Sequence, residues 1–221
     1  MDSPEFSAED IAKGEALFKG RCSFVKGVVR IGDLPQDGRP EVAFAGRSNV
    51  GKSSLLNALT GQKSLARVSV TPGRTRELNF FTLGKDRALI LVDMPGYGYA
   101  RASKAQVKGW TNLIRDYLKG RRELKRVFLL IDARHGLKPT DHEIMTLMDE
   151  AAVSYQAVLT KADKPKKVEL AAVTEKVAAE LAKHPAAYPE LLVTSARRGT
   201  GIPELRAAVA SLLPGDDTLL R

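Results

Sequence analysis

Eight consecutive residues constrain this chain more than any others: Gly46-Arg47-Ser48-Asn49-Val50-Gly51-Lys52-Ser53. A glycine, four residues and Gly-Lys-Ser make the pattern of a phosphate-binding loop. An apolar run at 42–45 precedes it and a helix-like run at 54–59 follows. Such a loop needs that setting. Its glycines let the chain turn its amides inward around a phosphate, and the helix start adds free amides and a positive dipole end. Lys52 is the side chain that reaches the β and γ phosphates. Ser53 is the Mg2+ ligand. The stretch from Gly46 to Ser54 therefore lines the phosphates of a nucleoside triphosphate, and it does not yet name the base.

The 221 residues suit one α/β domain, with 43% apolar and 28% charged residues. A formal net charge of +9 argues for a polyanionic partner such as nucleic acid or an anionic surface. One cysteine, Cys22, excludes an internal disulfide framework and a cysteine-based zinc cluster. It has no acid–base companion nearby and is expected to be inert. His135, His142 and His184 show no metal-ligand spacing. No apolar run reaches the roughly 18 residues of a membrane span, and the first residues lack a secretory pattern. A cytoplasmic protein without stable membrane insertion is expected.

Periodicity predicts a helix at 7–20, with Ser7 as cap and Asp10 as its capping-box partner. A strand at 24–31 is broken by Gly27, and 34–40 is a turn-rich connection. The strand at 42–45 and the helix at 53–60 flank the phosphate loop. Residues 61–76 form a polar loop. Strands at 78–83 and 88–92 make an antiparallel hairpin, and a helix at 104–119 carries Trp110 on its core stripe. Strands at 127–131, 155–159 and 191–194 alternate with helices at 140–151, capped by Thr140, at 166–181, and at 201–213. That alternation predicts a mainly parallel sheet covered by helices on both faces.

Three further segments choose the nucleotide. Asp93 ends an apolar strand 40 positions after Ser53, where it holds a Mg2+ water, and Gly96 offers an amide to the γ-phosphate. Thr160-Lys161-Ala162-Asp163 ends another strand. Guanine shows N1–H and an amino group side by side, and the Asp163 carboxylate accepts both. Adenine has no such donor pair. Lys161 lays its methylene stem over the base and ties the loops together. Ser195 and Ala196 close the next strand, and the Ala196 amide donates to guanine O6.

These motifs, in this order, resemble those of the translation-factor-related GTPases. The match is nearest to the EngB/YsxC-type GTPases of bacterial ribosome assembly. It rests on Glu41-Val42-Ala43-Phe44-Ala45-Gly46 running into the phosphate loop, on Thr71-Pro72-Gly73-Arg74-Thr75 with Asn79-Phe80-Phe81, and on Asp93-Met94-Pro95-Gly96-Tyr97-Gly98-Tyr99-Ala100. It ends with Thr160-Lys161-Ala162-Asp163 and Thr194-Ser195-Ala196. The resemblance covers about residues 22–213. It implies a three-layer P-loop NTPase fold of the Ras-like GTPase kind, with one antiparallel edge strand. Residues 1–21 are then an extension with a short helix, and 214–221 a loose tail. It also implies GTP hydrolysis and work on the large ribosomal subunit, through its rRNA and proteins, by a monomer.

Under that resemblance Lys52, Asn49, Thr75 and Gly96 carry the catalysis, and Ser53, Thr75 and Asp93 hold Mg2+. Thr71 competes with Thr75, although its following proline suits a turn. Many such GTPases place a glutamine after the Asp-x-x-Gly glycine to position water; here that place is Tyr97. Unaided turnover is therefore expected to be slow. Asn49 stands where potassium-activated relatives bind their cation, so K+ is a candidate second cation, against the alternative that Asn49 braces its own loop. Basic clusters at Lys119-Gly120-Arg121-Arg122 with Lys125-Arg126, at Lys161 with Lys164, Lys166 and Lys167, at Arg197-Arg198, and at Arg74 and Arg76 offer charge to rRNA phosphates. A nucleotide-gated adaptor and an RNA-binding factor with near-silent hydrolysis stay open as alternatives.

Overall fold

The computed structural model describes residues 6–63, 65, 77–98 and 104–213. In chain order it has α1 (Ala8–Lys19), β1 (Ser23–Val28), β2 (Glu41–Gly46), α2 (Lys52–Thr60), β3 (Leu78–Leu83) and β4 (Leu89–Asp93). These are followed by α3 (Lys104–Gly120), β5 (Leu124–Asp132), α4 (Pro139–Glu150), β6 (Tyr155–Thr160), α5 (Lys167–Leu181), β7 (Leu192–Val193) and α6 (Ile202–Ala210). The seven strands form one sheet in the order β1-β3-β4-β2-β5-β6-β7. β2 pairs in parallel with both β4 and β5, so the strand order reverses at β2. Ligands of open α/β sheets bind at the carboxyl ends of strands beside such a point.

Alternation of apolar residues with period two builds the layers. In β2 and β5, Val42, Phe44, Phe128 and Leu130 face a core with Leu17 of α1, Leu55, Leu56 and Leu59 of α2, and Leu205 and Val209 of α6. Ala43, Ala45, Val127, Leu129 and Ile131 face the opposite core, with Ile114 and Tyr117 of α3, Met145 and Met148 of α4, and Val177 of α5. Burial on both faces is why these strands read as continuous apolar runs. No helix among the described residues is long and apolar enough to cross a membrane.

The single reversed strand expected from the hairpin is β3, antiparallel to β4. β1 pairs outside it, which leaves β3 one place in from the edge. Gly27 does not break β1. The irregularity falls between Phe24 and Lys26, and the Glu77 side chain fills the space beside Gly27, where a Cβ would come within 1.8 Å of it. α1 starts as expected: Ser7 Oγ accepts from Asp10 N at 3.1 Å, and Ser7 N donates to the Asp10 carboxylate at 3.0 Å. α1 packs on α6 at backbone contact, since a Cβ on Gly14 would lie 2.5 Å from Ala207 N. Cys22 is buried at 3% exposure, and that burial pushes its thiol up to about 12, in keeping with an inert side chain.

Two local expectations need correction. Thr140 does not cap α4. Pro139, its φ already fixed near the helical value, takes the first position, and the Asp141 carboxylate accepts from Lys138 N at 2.8 Å. Arg121 does not belong to a solvated basic cluster. Its side chain is 5% exposed and grips the buried Glu41 carboxylate, Nη2 to Oε1 at 2.6 Å and Nε to Oε2 at 3.0 Å. Tyr117 Oη donates to the same carboxylate at 2.9 Å. A charge buried this deeply needs such a partner. Arg126 is likewise engaged, stacked 3.9 Å over the Tyr188 ring and bonded to Gln156. Trp110, Thr71, Arg74, Thr75 and Arg76 lie outside the residues whose side chains are described, as do 214–221.

Candidate functional site

β2 delivers the chain to the sheet edge at Gly46, and the loop after it turns back on itself to start α2. Asn49 and Gly51 supply the left-handed backbone for that turn, at φ 66° and 102°. Asparagine tolerates this region better than most side chains, and glycine meets no Cβ penalty there. The first bond of α2 runs from Leu55 N to Gly51 O at 2.9 Å. The amides of Lys52, Ser53 and Ser54 thus lack intrahelical acceptors and form the positive end of the helix. Ser53 and Ser54 are exposed at that end.

The segment after β4 is laced to the loop. Ser48 N donates to Tyr97 O at 2.9 Å and Tyr97 N donates to Gly46 O at 3.3 Å. Gly96 lies so close to Ser48 that an added Cβ would stand 3.2 Å from its Oγ. Asp93 ends β4 at 3% exposure, and its carboxylate forms an ion pair with Lys52 Nζ. A lysine and a carboxylate therefore face each other beside the free amides of α2.

The third wall comes from β6. Thr160 Oγ1 donates to Val50 O at 2.6 Å, fastening the strand end to the phosphate loop. Lys161 donates from Nζ to Asn49 O at 2.5 Å and pairs with Asp132 Oδ2 at 2.8 Å. Its stem crosses Gly51, where a Cβ would lie 3.3 Å from Lys161 Cε. Asp163 is oriented from the next loop: Ser195 Oγ donates to Asp163 Oδ1 at 2.7 Å. That bond holds the Asp163 carboxyl below the usual carboxylate range. The loop of Ser195 and Ala196 is itself closed by Ser195 N to Thr200 O at 2.9 Å and Gly199 N to Ser195 O at 2.8 Å.

Residues 41–161 match the family described as 50S ribosome-binding GTPase, and residues 108–215 match the elongation factor Tu GTP binding domain. Over 211 residues the chain is 57% identical to the probable GTP-binding protein EngB of Hyphomonas neptunium, covering 95% of this chain and 96% of that one. The chain belongs to the EngB family of GTP-binding proteins. A solved structure of a probable GTP-binding protein engB superposes with a TM-score of 0.60 at 25% identity, over 78% of this chain and 97% of that one. The chain also spans 28% of a bacterial selenocysteine-specific elongation factor, at 22% identity and a TM-score of 0.57, a likeness of fold alone.

Of the sequence-derived EngB-type residues, the structure gathers Gly46, Arg47, Ser48, Asn49, Val50, Gly51, Lys52, Ser53, Ser54, Asp93, Gly96, Thr160, Lys161, Asp163, Ser195 and Ala196 at one sheet edge. Thr75 lies outside the described residues. Two functional-site residues, Asp132 and Asp141, carried no sequence signal strong enough to be singled out. Asp132, at the end of β5, anchors Lys161 and accepts from Arg134 Nε at 2.9 Å. Burial alone would raise its carboxyl, and the bonds from Arg134 and Lys161 overcome this and hold it far below the usual range. Its signal was an apolar strand ending in aspartate. Asp141, wholly buried, lies within ion-pair distance of Arg47 Nε, 3.0 Å, and no local pattern marked it.

Proposed function

We propose that this EngB-family chain is a GTPase switch in assembly of the large ribosomal subunit, docking on it with GTP bound and resetting by slow hydrolysis. One observation carries the reading: an exposed basic rim borders the nucleotide edge. Lys164, Lys166 and Lys167 follow β6, Arg197 and Arg198 follow β7, and all five are exposed. Such charges bind nucleic-acid phosphates without reading sequence. The match to 50S ribosome-binding GTPases supports the same partner.

In the chemistry, Lys52 and the loop amides from Gly46 to Ser54 stabilise charge on the transferring phosphoryl group, and Gly96 adds an amide. The Ser53 hydroxyl and the Asp93 carboxylate are hard oxygen donors at the site, a set that fits Mg2+. Thr75 completes that set. When bound, Mg2+ neutralises charge on the β and γ phosphate oxygens. The Lys52–Asp93 pair is suited to this ligand, because each charge can exchange its protein partner for one part of it. Asp163, oriented by Ser195, selects guanine with Ala196, while Lys161 and Thr160 hold the base loop against the phosphate loop.

Tyr97 occupies the position of the usual water-orienting glutamine. Its ring is 2% exposed and its hydroxyl is bound to Asp141 at 2.7 Å, which supports slow unaided turnover. Asn49 is exposed, and its side chain makes no hydrogen bond among the described residues, so a K+ ligand role fits better than bracing of the loop. Hydrolysis faster in KCl than in NaCl at equal ionic strength is the expected result; equal rates overturn the K+ role. A cytoplasmic monomer is the form we envisage. Co-sedimentation with ribosomal subunits tests the main reading. Enrichment on the large subunit with a non-hydrolysable GTP analogue over GDP supports it, and no association with either nucleotide overturns it.

A further inference from the structure

Two of the chain's three histidines come together where the first turns of α4 meet the end of α5. His142 lies in the first turns of α4, Glu180 near the end of α5, and His184 just beyond that end. One ligand atom from each lies within 4.8 Å of the other two. His142 Nδ1 and Glu180 Oε1 are 3.7 Å apart. Ligands about 2.1 Å from a tetrahedral zinc ion stand about 3.4 Å from one another, so closure needs only small side-chain rotations.

The surroundings are built as metal-site surroundings are. His184 Nδ1 contacts Asp149 Oδ2 at 2.5 Å. A carboxylate can only accept, so Nδ1 carries a proton and donates, and in the neutral ring Nε2 is the atom with a lone pair for metal. The other Asp149 oxygen is fixed by Ala186 N at 3.1 Å. The Tyr155 ring packs edge-on to the imidazole, centroids 6.5 Å apart. A histidine held by a clamped carboxylate matches the support that zinc-ligating histidines receive. One competitor is visible: Lys183 Nζ pairs with Glu180 Oε2 at 2.6 Å, which leaves Oε1 toward His142.

We propose that His142, Glu180 and His184 form a Zn2+ site that staples α4 to the end of α5. Two imidazoles and one carboxylate make a borderline-soft donor set, suited to Zn2+ and Co2+ rather than to Mg2+, and water fills the fourth position. The staple sits one residue from Asp141, which holds Tyr97 and Arg47, so zinc braces the element against which the phosphate loop rests.

The test uses the full chain without a histidine tag, stripped by chelator and kept in excess Mg2+ and GDP so that the nucleotide site is filled. Zn2+ is titrated against a chromophoric chelator, and Co2+ is followed by its visible absorption. One equivalent bound, with the intense bands of four-coordinate Co2+, is expected. His142→Ala, at a 41% exposed side chain, abolishes this while GDP affinity stays unchanged. Asp149→Asn weakens binding about 10–100-fold. His135→Ala leaves it intact. Zn2+ should raise the unfolding midpoint of the parent chain and not that of His142→Ala. No stoichiometric binding, or binding that survives both His142→Ala and His184→Ala, overturns the proposal.

Discussion

Tyr97 Oη donates to Asp141 Oδ1 at 2.7 Å, with Asp141 itself wholly inaccessible to solvent. The bond joins the segment after β4 to the first turn of α4. Burial first, then the Asp141 charge and the bond to it, pushes the Tyr97 phenol well above its ordinary value, so the hydroxyl stays a donor. Tyr97→Phe leaves a buried carboxylate short of one donor. A loss of about 1–3 kcal/mol in unfolding free energy is expected from that alone. Urea unfolding with and without GDP measures it. A variant as stable as the parent would show that Arg47 and the Lys138 amide suffice for Asp141.

On the proposed reading guanine selection rests on Asp163, whose carboxylate the Ser195 hydroxyl orients. Asp163→Asn replaces one acceptor oxygen by a donor, which faces the donors on guanine. GDP affinity is expected to fall at least about 100-fold, since two bonds to a charged acceptor are lost or weakened. Xanthosine diphosphate, with a carbonyl where guanine has its amino group, should be favoured by this variant. Ser195→Ala removes only the orienting bond, and a loss of about 10-fold is expected. Titration of a fluorescent GDP analogue, with competition by the other nucleotides, reads all three. Unchanged GDP binding by Asp163→Asn would remove Asp163 from the base site.

The turn between β2 and α2 and the strand ends at Asp93 and Thr160 were legible because their signals are local, a few adjacent residues beside an apolar run. The sheet was legible for the same reason, since strands such as 127–131 are buried on both faces and hence uniformly apolar. Asp132, Asp141 and Arg121 were not, because their roles are made by partners far along the chain. Arg121 sits among other cations in sequence and reads as surface charge. Only the packing of α3 beside β2 turns it toward Glu41. Thr140 was read as a cap because hydroxyls favour that position, but Pro139 takes the first helical position and places the cap two residues earlier, at Lys138.

Asp132 gives the fold an acid-sensitive component with a definite sign. Its carboxyl is lowered in the folded state, because the bonds from Arg134 and Lys161 outweigh burial. A depressed carboxyl contributes stability that is fully present above its unfolded value, about 3.9. The contribution is lost as pH falls below that value toward the folded one. Asp132→Asn should therefore be less stable than the parent at pH 7, with the gap constant down to about pH 5 and shrinking below about pH 4. Urea unfolding at a series of pH values gives the gap. A gap that does not narrow in acid would mean that the variant loses geometry rather than charge.

Arg121 and the loop lysines make opposite predictions from the same charge. Arg121 is the bidentate partner of Glu41, so Arg121→Ala strands a buried carboxylate and should cost about 3–5 kcal/mol of stability. GDP affinity should stay within about threefold, because Glu41 begins β2 and the nucleotide site lies at the strand's other end. Lys166→Ala with Lys167→Ala removes exposed charge beside the base loop and should leave stability within about 0.5 kcal/mol. On the proposed reading it weakens co-sedimentation with the large subunit and flattens the dependence of that binding on salt, since fewer counterions are released. Thermal unfolding separates the two stability effects, and subunit binding across a salt series separates the functional ones. If the double lysine variant binds the subunit with an unchanged salt slope, the rim after β6 is not the contact, and Arg197 with Arg198 becomes the surface to remove next.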